Sequence, residues 1–286
     1  MQSQGRKAID LSKRFTPEIE DQLLTYAGED RVQTFQQAEA EIAATPAPDV
    51  KVLTGFTILD GWISHFEPGD VITISGPTKS GKTLLAQTIT KNVMLQDIES
   101  LWFSYELTKK QFLSCFPEVP ELCYMPRKMT TGAMEWIEER IYEARLKSSE
   151  KVRVVFIDHL HFLADMVSRQ NMSIQIGTIL RNLKRIAQTY GVCIFLIAHT
   201  GKIPRGEDPD GENIRDSSFI RQESDTVFMI WRTEKENQAK LMVDVCRRTG
   251  AFKKILIVRK EKGLLWQVEE HREEPEKQRR DWDDYR

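Results

Sequence analysis

Apolar runs and amphipathic stretches alternate along the chain from about residue 52. Short continuous apolar runs predict buried strands at 71–75, 100–104, 152–157 and 192–197. Stretches with helical periodicity lie between them and predict helices at 81–96, 131–147 and 173–190, with a shorter helix at 108–116. Such alternation is typical of an α/β fold, in which helices flank a mostly parallel central sheet.

The pattern changes after residue 200. Residues 201–213 are rich in glycine, proline, aspartate and basic residues, which predicts a loop. Four apolar runs with short links follow, and they predict strands at 226–231, 241–246, 253–258 and 264–268. We expect these strands to extend the sheet at its C-terminal side, the last ones antiparallel.

The two ends of the chain differ from its centre. Residues 17–24 and 30–44 predict two short helices, and the Pro-rich residues 45–48 predict a linker. We interpret residues 1–50 as an arm that docks on the body or on a neighbouring subunit, the alternative being a frayed leader. Residues 271–286 are almost wholly charged and predict a disordered tail. The α/β domain is then expected at 51–270.

Composition limits the partners and the cellular compartment that we expect for this protein. The 286 residues carry a formal net charge of −2, so any nucleic-acid site must be a local basic surface. No apolar run reaches the roughly 18–20 residues of a membrane helix, and the polar N-terminus does not resemble a secretory signal. The four cysteines are scattered without a C-x-x-C pair, which favours reduced thiols over a zinc or disulfide framework. We therefore expect a cytoplasmic protein, or one inside an infected cell, with no membrane association.

A glycine-rich motif lies between the first predicted strand and the helix at 81–96. It has the form G-x-x-x-x-G-K-T, in which the backbone amides cradle the phosphates of a nucleotide such as ATP. Lys82 would reach the β- and γ-phosphates, and the Thr83 hydroxyl would hold Mg²⁺. The alternative is a Gly/Ser/Lys surface turn. We call residues 76–83 the phosphate loop, formed by Gly76, Pro77, Thr78, Lys79, Ser80, Gly81, Lys82 and Thr83.

Several polar residues follow the other predicted strands. Asp158 ends an apolar strand and is expected beside the phosphate loop, where it can hold Mg²⁺ through water. Glu106 follows the strand at 100–104 and is the candidate to orient the attacking water, the alternative being a Glu favoured by a helix N-terminus. His199 closes the strand at 192–197 and is either a γ-phosphate contact or a structural histidine. His159 and His161 lack a cysteine or carboxylate at ligand spacing along the chain, so we expect no zinc site there.

An arginine pair stands at a turn near the C-terminal strands. Arg247 and Arg248 follow the predicted strand at 241–246 and precede Gly250. Arginine at such a turn can reach a neighbour's nucleotide and neutralise charge in the transition state. The alternative is a basic surface turn.

Taken together, these motifs resemble the ATPase domain of hexameric replicative DNA helicases of the DnaB type, a RecA-like P-loop NTPase fold. The resemblance runs over residues 54–267 and is carried, beside the phosphate loop, by residues 103–107, 156–160, 214–225 and 246–250. It implies a catalytic role for Glu106 and an arginine finger at Arg248. It also implies a ring, expected to be a hexamer, that hydrolyses ATP at its subunit interfaces and translocates on single-stranded DNA. Lys202, Arg205 and Arg215 are then the candidate DNA contacts.

The chain also departs from that family. The family usually has Gln where this sequence has His199, and its large N-terminal helical domain is not found in the sequence. We therefore expect a minimal helicase of phage or plasmid type, with primase or polymerase as candidate partners. The alternatives with the same core are a RecA- or RadA-like recombinase, a KaiC-like regulatory ATPase, and a module that binds nucleotide and scaffolds partners.

Overall fold

The computed structural model describes residues 16–28, 31–44, 50–130, 134–164, 172–199 and 217–268. The chain divides into two units, Met1–Asp49 and Val50–Arg286. The first unit contains helix α1 (Pro17–Leu24) and helix α2 (Phe35–Ala44). Helix α1 has the predicted bounds, with Thr16 at its N-cap position and proline in its first turn. Helix α2 begins five residues later than predicted.

In the part of the second unit that the structure describes, nine strands form one sheet. Its parallel strands are β1 (Val71–Gly76), β2 (Glu99–Ser104), β3 (Cys123–Tyr124), β4 (Val152–Asp158), β5 (Cys193–His199) and β6 (Thr226–Arg232). The strands β7 (Gln238–Cys246), β8 (Phe252–Glu261) and β9 (Leu264–Gln267) continue it antiparallel. The strand order is β3-β2-β4-β5-β1-β6-β7-β8-β9. The predicted mixed α/β sheet is thereby confirmed, including the antiparallel extension.

Seven described helices accompany this sheet in the second unit. They are α3 (Thr57–Ile63), α4 (Lys82–Met94), α5 (Lys109–Ser114), α6 (Met134–Lys147), α7 (Leu160–Ala164), α8 (Met172–Tyr190) and α9 (Ser217–Glu223). No helix among the described residues is long and apolar enough to cross a membrane.

Helices cover both faces of the sheet, which explains the continuous apolar runs of the central strands. In β4, Val154 and Phe156 belong to the core beneath α3, α4 and α5, while Val155 and Ile157 belong to the core beneath α6 and α8. Successive side chains of a strand point to opposite faces, so a strand buried on both sides has no polar alternation. The central strands end together at one edge, and this edge carries the site.

Four short elements were not predicted from the sequence. Strand β3 has only two residues, and helices α3, α7 and α9 have five to seven. Helices of five to seven residues make fewer than two turns, and a two-residue strand is too short to alternate. Such elements therefore show no clear apolar period in the sequence. Their formation depends on packing against the sheet.

Candidate functional site

The polar residues predicted at strand ends converge at the carboxyl edge of the parallel strands. Gly76 at the end of β1 is paired in register with His199 at the end of β5. Ser104 at the end of β2 is paired with Asp158 at the end of β4. Ligands of parallel sheets bind at this edge, and the structure brings the phosphate loop, Glu106, Asp158 and His199 together there.

The phosphate loop turns tightly where its glycines stand. Gly76 has a φ of +154°, and a Cβ at this position would lie 2.1 Å from the carbonyl oxygen of Ile230. Gly81 has a φ of +107° and immediately precedes α4. Both positions therefore require glycine. Helix α4 begins within the loop, at Lys82, so the free amides of its first turn and the positive end of its dipole are available to an anion.

Lys82 is buried within this loop. Its ammonium donates hydrogen bonds to the carbonyl oxygens of Gly76 at 3.0 Å and Pro77 at 2.8 Å. Burial lowers the pKa of Lys82, and the negative charges of Asp158 and Glu106 oppose this shift. The lysine thus places a positive charge at the mouth of the loop, where phosphate oxygens of a nucleotide would lie.

Thr83 and Asp158 form an oxygen pair beside the loop. The Thr83 hydroxyl donates to Asp158 Oδ2 at 2.8 Å, and the Asp158 side chain is fully buried. Burial raises the pKa of Asp158 to about 6, and the Glu106 charge adds to the rise. The hydrogen bond from Thr83 and the charge of Lys82 act in the opposite direction. A cation at this place would offset the cost of burying the carboxylate.

These donors fit a magnesium ion by their chemistry. Mg²⁺ prefers hard oxygen ligands. In magnesium sites that include a nucleotide, the protein usually contributes a hydroxyl and a carboxylate. Among the described residues, Asp158 Oδ1 and Ser80 Oγ are buried side-chain oxygens without a hydrogen-bond partner. Buried polar atoms of this kind are normally satisfied, which agrees with a site shaped for a phosphate and its metal.

Glu106 and two histidines form a cluster next to the phosphate loop. One ligand atom each of Glu106, His159 and His199 lies within 4.8 Å of the others. The imidazole rings of His159 and His199 meet edge to face, with ring centroids 4.5 Å apart. Spacing along the chain gives His159 no carboxylate partner. In the fold, Glu106 supplies that carboxylate from the segment that follows β2, which sequence spacing could not show.

A cavity of about 790 Å³ opens above these residues. It is lined by residues of the phosphate loop, by Glu106 and His199, and also by the basic residues Arg232, Lys260 and Lys262. Sequence reasoning missed these three basic residues, because they come from β6 and the β8–β9 hairpin and match no motif. The volume is in the range of small-molecule and nucleotide sites.

Arg248 lies far from the phosphate loop of its own chain. Its guanidinium contacts Glu67 Oε1 at 2.7 Å and Asp70 Oδ2 at 3.0 Å. Asp70 immediately precedes β1, and the phosphate loop begins where β1 ends, about 20 Å away for a six-residue strand. Arg248 therefore stands at the opposite edge of the sheet, out of reach of the phosphate loop of its own chain.

The predicted DNA contacts Lys202, Arg205 and Arg215 lie outside the described residues. The loop at 201–213 and the tail at 271–286 lie outside them as well.

Comparison with known proteins supports this architecture. The family model for the DnaB-like helicase C terminal domain matches residues 51–116 and 127–272. The chain is similar to the replicative DNA helicase DnaB of Treponema pallidum, with 24% identity over 68% of this chain and 51% of the relative. The replicative DNA helicase DnaB of Geobacillus stearothermophilus is 24% identical over 84% of this chain and 60% of the relative. The chain thus spans about half to three-fifths of these relatives.

A solved structure shares the fold. It is that of a DnaB-like replicative helicase, described together with its interactions with primase, and it superposes with a TM-score of 0.68 at 18% sequence identity. The match covers 88% of this chain and 70% of that chain. The sheet order, the phosphate loop at the end of β1 and the family match lead to one assignment: the chain belongs to the DnaB-like helicase C terminal domain family and has the RecA-like fold.

Proposed function

We propose that this chain is the ATP-hydrolysing motor of a ring-shaped replicative DNA helicase. The observation that carries the proposal is that Lys82, Thr83 and Glu106 line one cavity at the carboxyl edge of the sheet, with the buried Asp158 hydrogen-bonded to Thr83. Family membership favours a helicase over a recombinase, a KaiC-like regulatory ATPase or a scaffold that use the same core.

In this proposal the phosphate loop binds the triphosphate of ATP. The amides of residues 76–83 and the start of α4 bind the phosphate oxygens, and Lys82 neutralises the β- and γ-phosphates. Thr83 and Asp158 hold Mg²⁺, which when bound offsets the negative charge that develops on the phosphates. The buried hydroxyl of Ser80 faces the same loop and is available to a phosphate oxygen.

Glu106 orients and deprotonates the attacking water. Its exposed carboxylate lines the same cavity as Lys82. Glu106 belongs to the loop that follows β2, at the edge of the sheet where the γ-phosphate would lie. His199 is paired in register with the first residue of the phosphate loop, so it is placed to respond when the γ-phosphate leaves. The residues after His199 would carry that response into the loop at 201–213.

Arg248 serves a neighbouring subunit. Its position at the far edge of its own sheet excludes its own phosphate loop, and a heterologous, head-to-tail contact in a closed ring would bring it to the next one. Each ATP then lies between two subunits of a ring that we propose to be a hexamer. Residues 1–50 form the arm that clasps the adjacent subunit, residues 51–270 the motor, and residues 271–286 the tail.

Single-stranded DNA is the proposed track, held in the ring by Lys202, Arg205 and Arg215. Contacts of this type track the phosphate backbone, so binding is expected to tolerate any sequence and to weaken as salt rises. Primase and polymerase are the proposed partners. The four cysteines are free thiols, which suits the cytoplasm, where we propose that the protein works.

Strand displacement on a forked DNA substrate tests the proposal. The wild-type protein is expected to unwind the fork only with hydrolysable ATP and Mg²⁺, and Lys82→Ala is expected to abolish both ATPase activity and unwinding. Pairing of homologous strands without unwinding would identify a recombinase. ATP binding with neither activity would identify a scaffold, and either result would refute the motor.

A further inference from the structure

The cluster of Glu106, His159 and His199 has a composition that the hydrolysis of ATP does not require. Among the residues that the structure describes, it is the one group of three or more metal-ligating side chains whose ligand atoms lie within 4.8 Å of one another. We propose that these three residues form a binding site for a divalent transition-metal ion of the Zn²⁺ class.

The backbone holds the three ligands on neighbouring strands. Strands β2, β4 and β5 are adjacent in the sheet, and each supplies one ligand at or just after its carboxyl end. The in-register pairs Ser104 with Asp158, and Asp158 with Ile197, keep these strand ends at the same level. His199 is the last residue of β5, His159 directly follows β4, and Glu106 follows β2 by two residues, so each ligand lies close to a buried strand that holds its backbone.

Aromatic packing fixes the orientation of the imidazoles. The ring of Phe162 lies 4.8 Å from that of His159 and 6.0 Å from that of Tyr105, measured between centroids. His159 in turn packs against His199 at 4.5 Å. The four rings form a continuous row beside Glu106, and this row limits the directions in which the two histidines can turn.

The spacing of the ligand atoms is close to what a metal needs. A tetrahedral ion with bonds of about 2.0–2.1 Å separates its ligand atoms by about 3.3–3.4 Å. The three side chains must therefore approach one another by at most about 1.5 Å. Glu106 is exposed, so rotation of its side chain can bring its carboxylate to the histidines, and water would complete a tetrahedral site.

The ligand types distinguish this site from the magnesium position. Thr83 and Asp158 offer only oxygen, which suits Mg²⁺, whereas two imidazoles favour Zn²⁺, Co²⁺, Ni²⁺ or Cu²⁺. A transition metal can therefore occupy the cluster in the presence of excess Mg²⁺. Occupancy would engage the carboxylate of Glu106 and the ring of His199, and on the proposed function above it would suppress ATP hydrolysis.

Metal titration of the full chain tests the site. The exposed thiol of Cys115 lines the same cavity, so all proteins carry Cys115→Ser to remove thiolate binding. Zn²⁺ affinity is measured by calorimetry in millimolar Mg²⁺, and Co²⁺ coordination by its visible absorption. Loss of one protein ligand, in Glu106→Gln, His159→Gln or His199→Gln, is expected to weaken Zn²⁺ binding at least about 10-fold.

A second histidine–carboxylate pair provides the matched control. His65 lies 2.8 Å from Glu67 at the opposite edge of the sheet, and His65→Gln is expected to leave the Zn²⁺ affinity unchanged. Unaltered affinity in His159→Gln, or a loss confined to His65→Gln or to His161→Gln, overturns the assignment. Absence of Zn²⁺ binding to the Cys115→Ser protein overturns it too. If His159→Gln does not fold, the exposed position Glu106 still tests the site.

The ATPase assay separates this inference from the proposed function. Zn²⁺ is expected to inhibit the Cys115→Ser protein at concentrations that fill the site. If Zn²⁺ binds as proposed while Glu106→Gln hydrolyses ATP at the full rate, the metal site stands and the catalytic role of Glu106 falls. If Glu106→Gln is inactive and no Zn²⁺ binds, the motor stands and the metal site falls.

Discussion

Replacement of Arg248 by alanine tests the shared active site most directly. The side chain is 29% exposed and pairs with Glu67 at 2.7 Å and Asp70 at 3.0 Å within its own chain. Partly exposed pairs are worth about 0–1 kcal/mol each, so the substitution should lower the free energy of unfolding by no more than about 2 kcal/mol. For a domain of this size that corresponds to a decrease in Tm of roughly 4–8 °C.

The expected effect on turnover is much larger than the effect on stability. An arginine supplied in trans is typically worth about 10³–10⁵ in kcat, or about 4–7 kcal/mol of transition-state stabilisation. We therefore expect DNA-stimulated ATPase activity to fall by at least about 10³-fold, with nucleotide binding largely retained. The assays are steady-state ATPase measurements on single-stranded DNA, nucleotide binding by calorimetry, and thermal unfolding.

The adjacent arginine is the matched control. Arg247 is exposed, and its guanidinium donates to the carbonyl oxygen of Gln222. Arg247→Ala removes the same charge one residue away and is expected to change turnover less than about 10-fold, as a surface substitution does. If Arg247→Ala and Arg248→Ala reduced turnover equally, a general loss of local charge would replace the arginine finger as the explanation.

Mixed rings test whether the arginine acts in trans. Arg248→Ala subunits keep an intact phosphate loop, and Lys82→Ala subunits keep an intact Arg248. Equal random mixing should restore about a quarter of the wild-type interfaces, and a similar share of the ATPase rate if interfaces act independently. A mixture no more active than its two inactive components would contradict the shared site.

Three further predictions concern the site itself. Glu106→Gln should lower ATPase activity by about 10²–10⁴-fold while nucleotide affinity stays close to wild type, as measured by turnover and calorimetry. Gly76→Ala places a Cβ 2.1 Å from the Ile230 carbonyl oxygen, so this variant should lose nucleotide binding and have a lower Tm. Gly61→Ala, whose Cβ meets nothing within 4 Å, should change neither. Asp158 has its pKa raised to about 6 from 3.8 by burial. Because the folded state holds this proton more tightly, the chain without metal or nucleotide should lose up to about 3 kcal/mol as pH rises from 4 to 7. Asp158→Asn, measured in EDTA, should flatten this loss and raise Tm at pH 7 while abolishing Mg²⁺-dependent turnover. An equally steep pH profile in Asp158→Asn would refute the assigned source.

The central strands of the sheet could be predicted from the sequence, because a strand that is buried on both faces consists mostly of consecutive apolar residues. Strand β5 is a continuous apolar run up to Ala198, and β4 is one from Val154 to Ile157. The predicted bounds of both differ from the observed ones by at most two residues. Strand β3 has two residues and pairs only through Cys123 and Tyr124. No local pattern can mark such an element, because its neighbour in the sheet supplies the reason for its extended backbone.

The same distinction applies to the site. The proximity of Lys82, Thr83 and Asp158 could be predicted from the sequence. Lys82 and Thr83 belong to the motif that follows one apolar strand, and Asp158 ends another. Lys260 and Lys262 could not be predicted, since they reach the cavity only through the antiparallel folding of β8 and β9 beside the parallel sheet. The local sequence therefore identifies the candidate phosphate-binding residues, whereas the basic residues contributed by the antiparallel strands become visible only in the fold.

Strand β1 connects the two ends of the proposed shared site. At its amino end, Asp70 holds Arg248, which we propose to serve a neighbour, and at its carboxyl end Gly76 begins the phosphate loop. All six residues of β1 are buried, and it is paired on both sides, with β5 and β6. A strand held in this way moves as a rigid unit, because close-packed interiors transmit small displacements. A displacement of the phosphate loop at one end of β1 would then be transmitted to Asp70, which supports Arg248 at the other end. In the ring that we propose, this strand would give hydrolysis at one interface a physical route to the next.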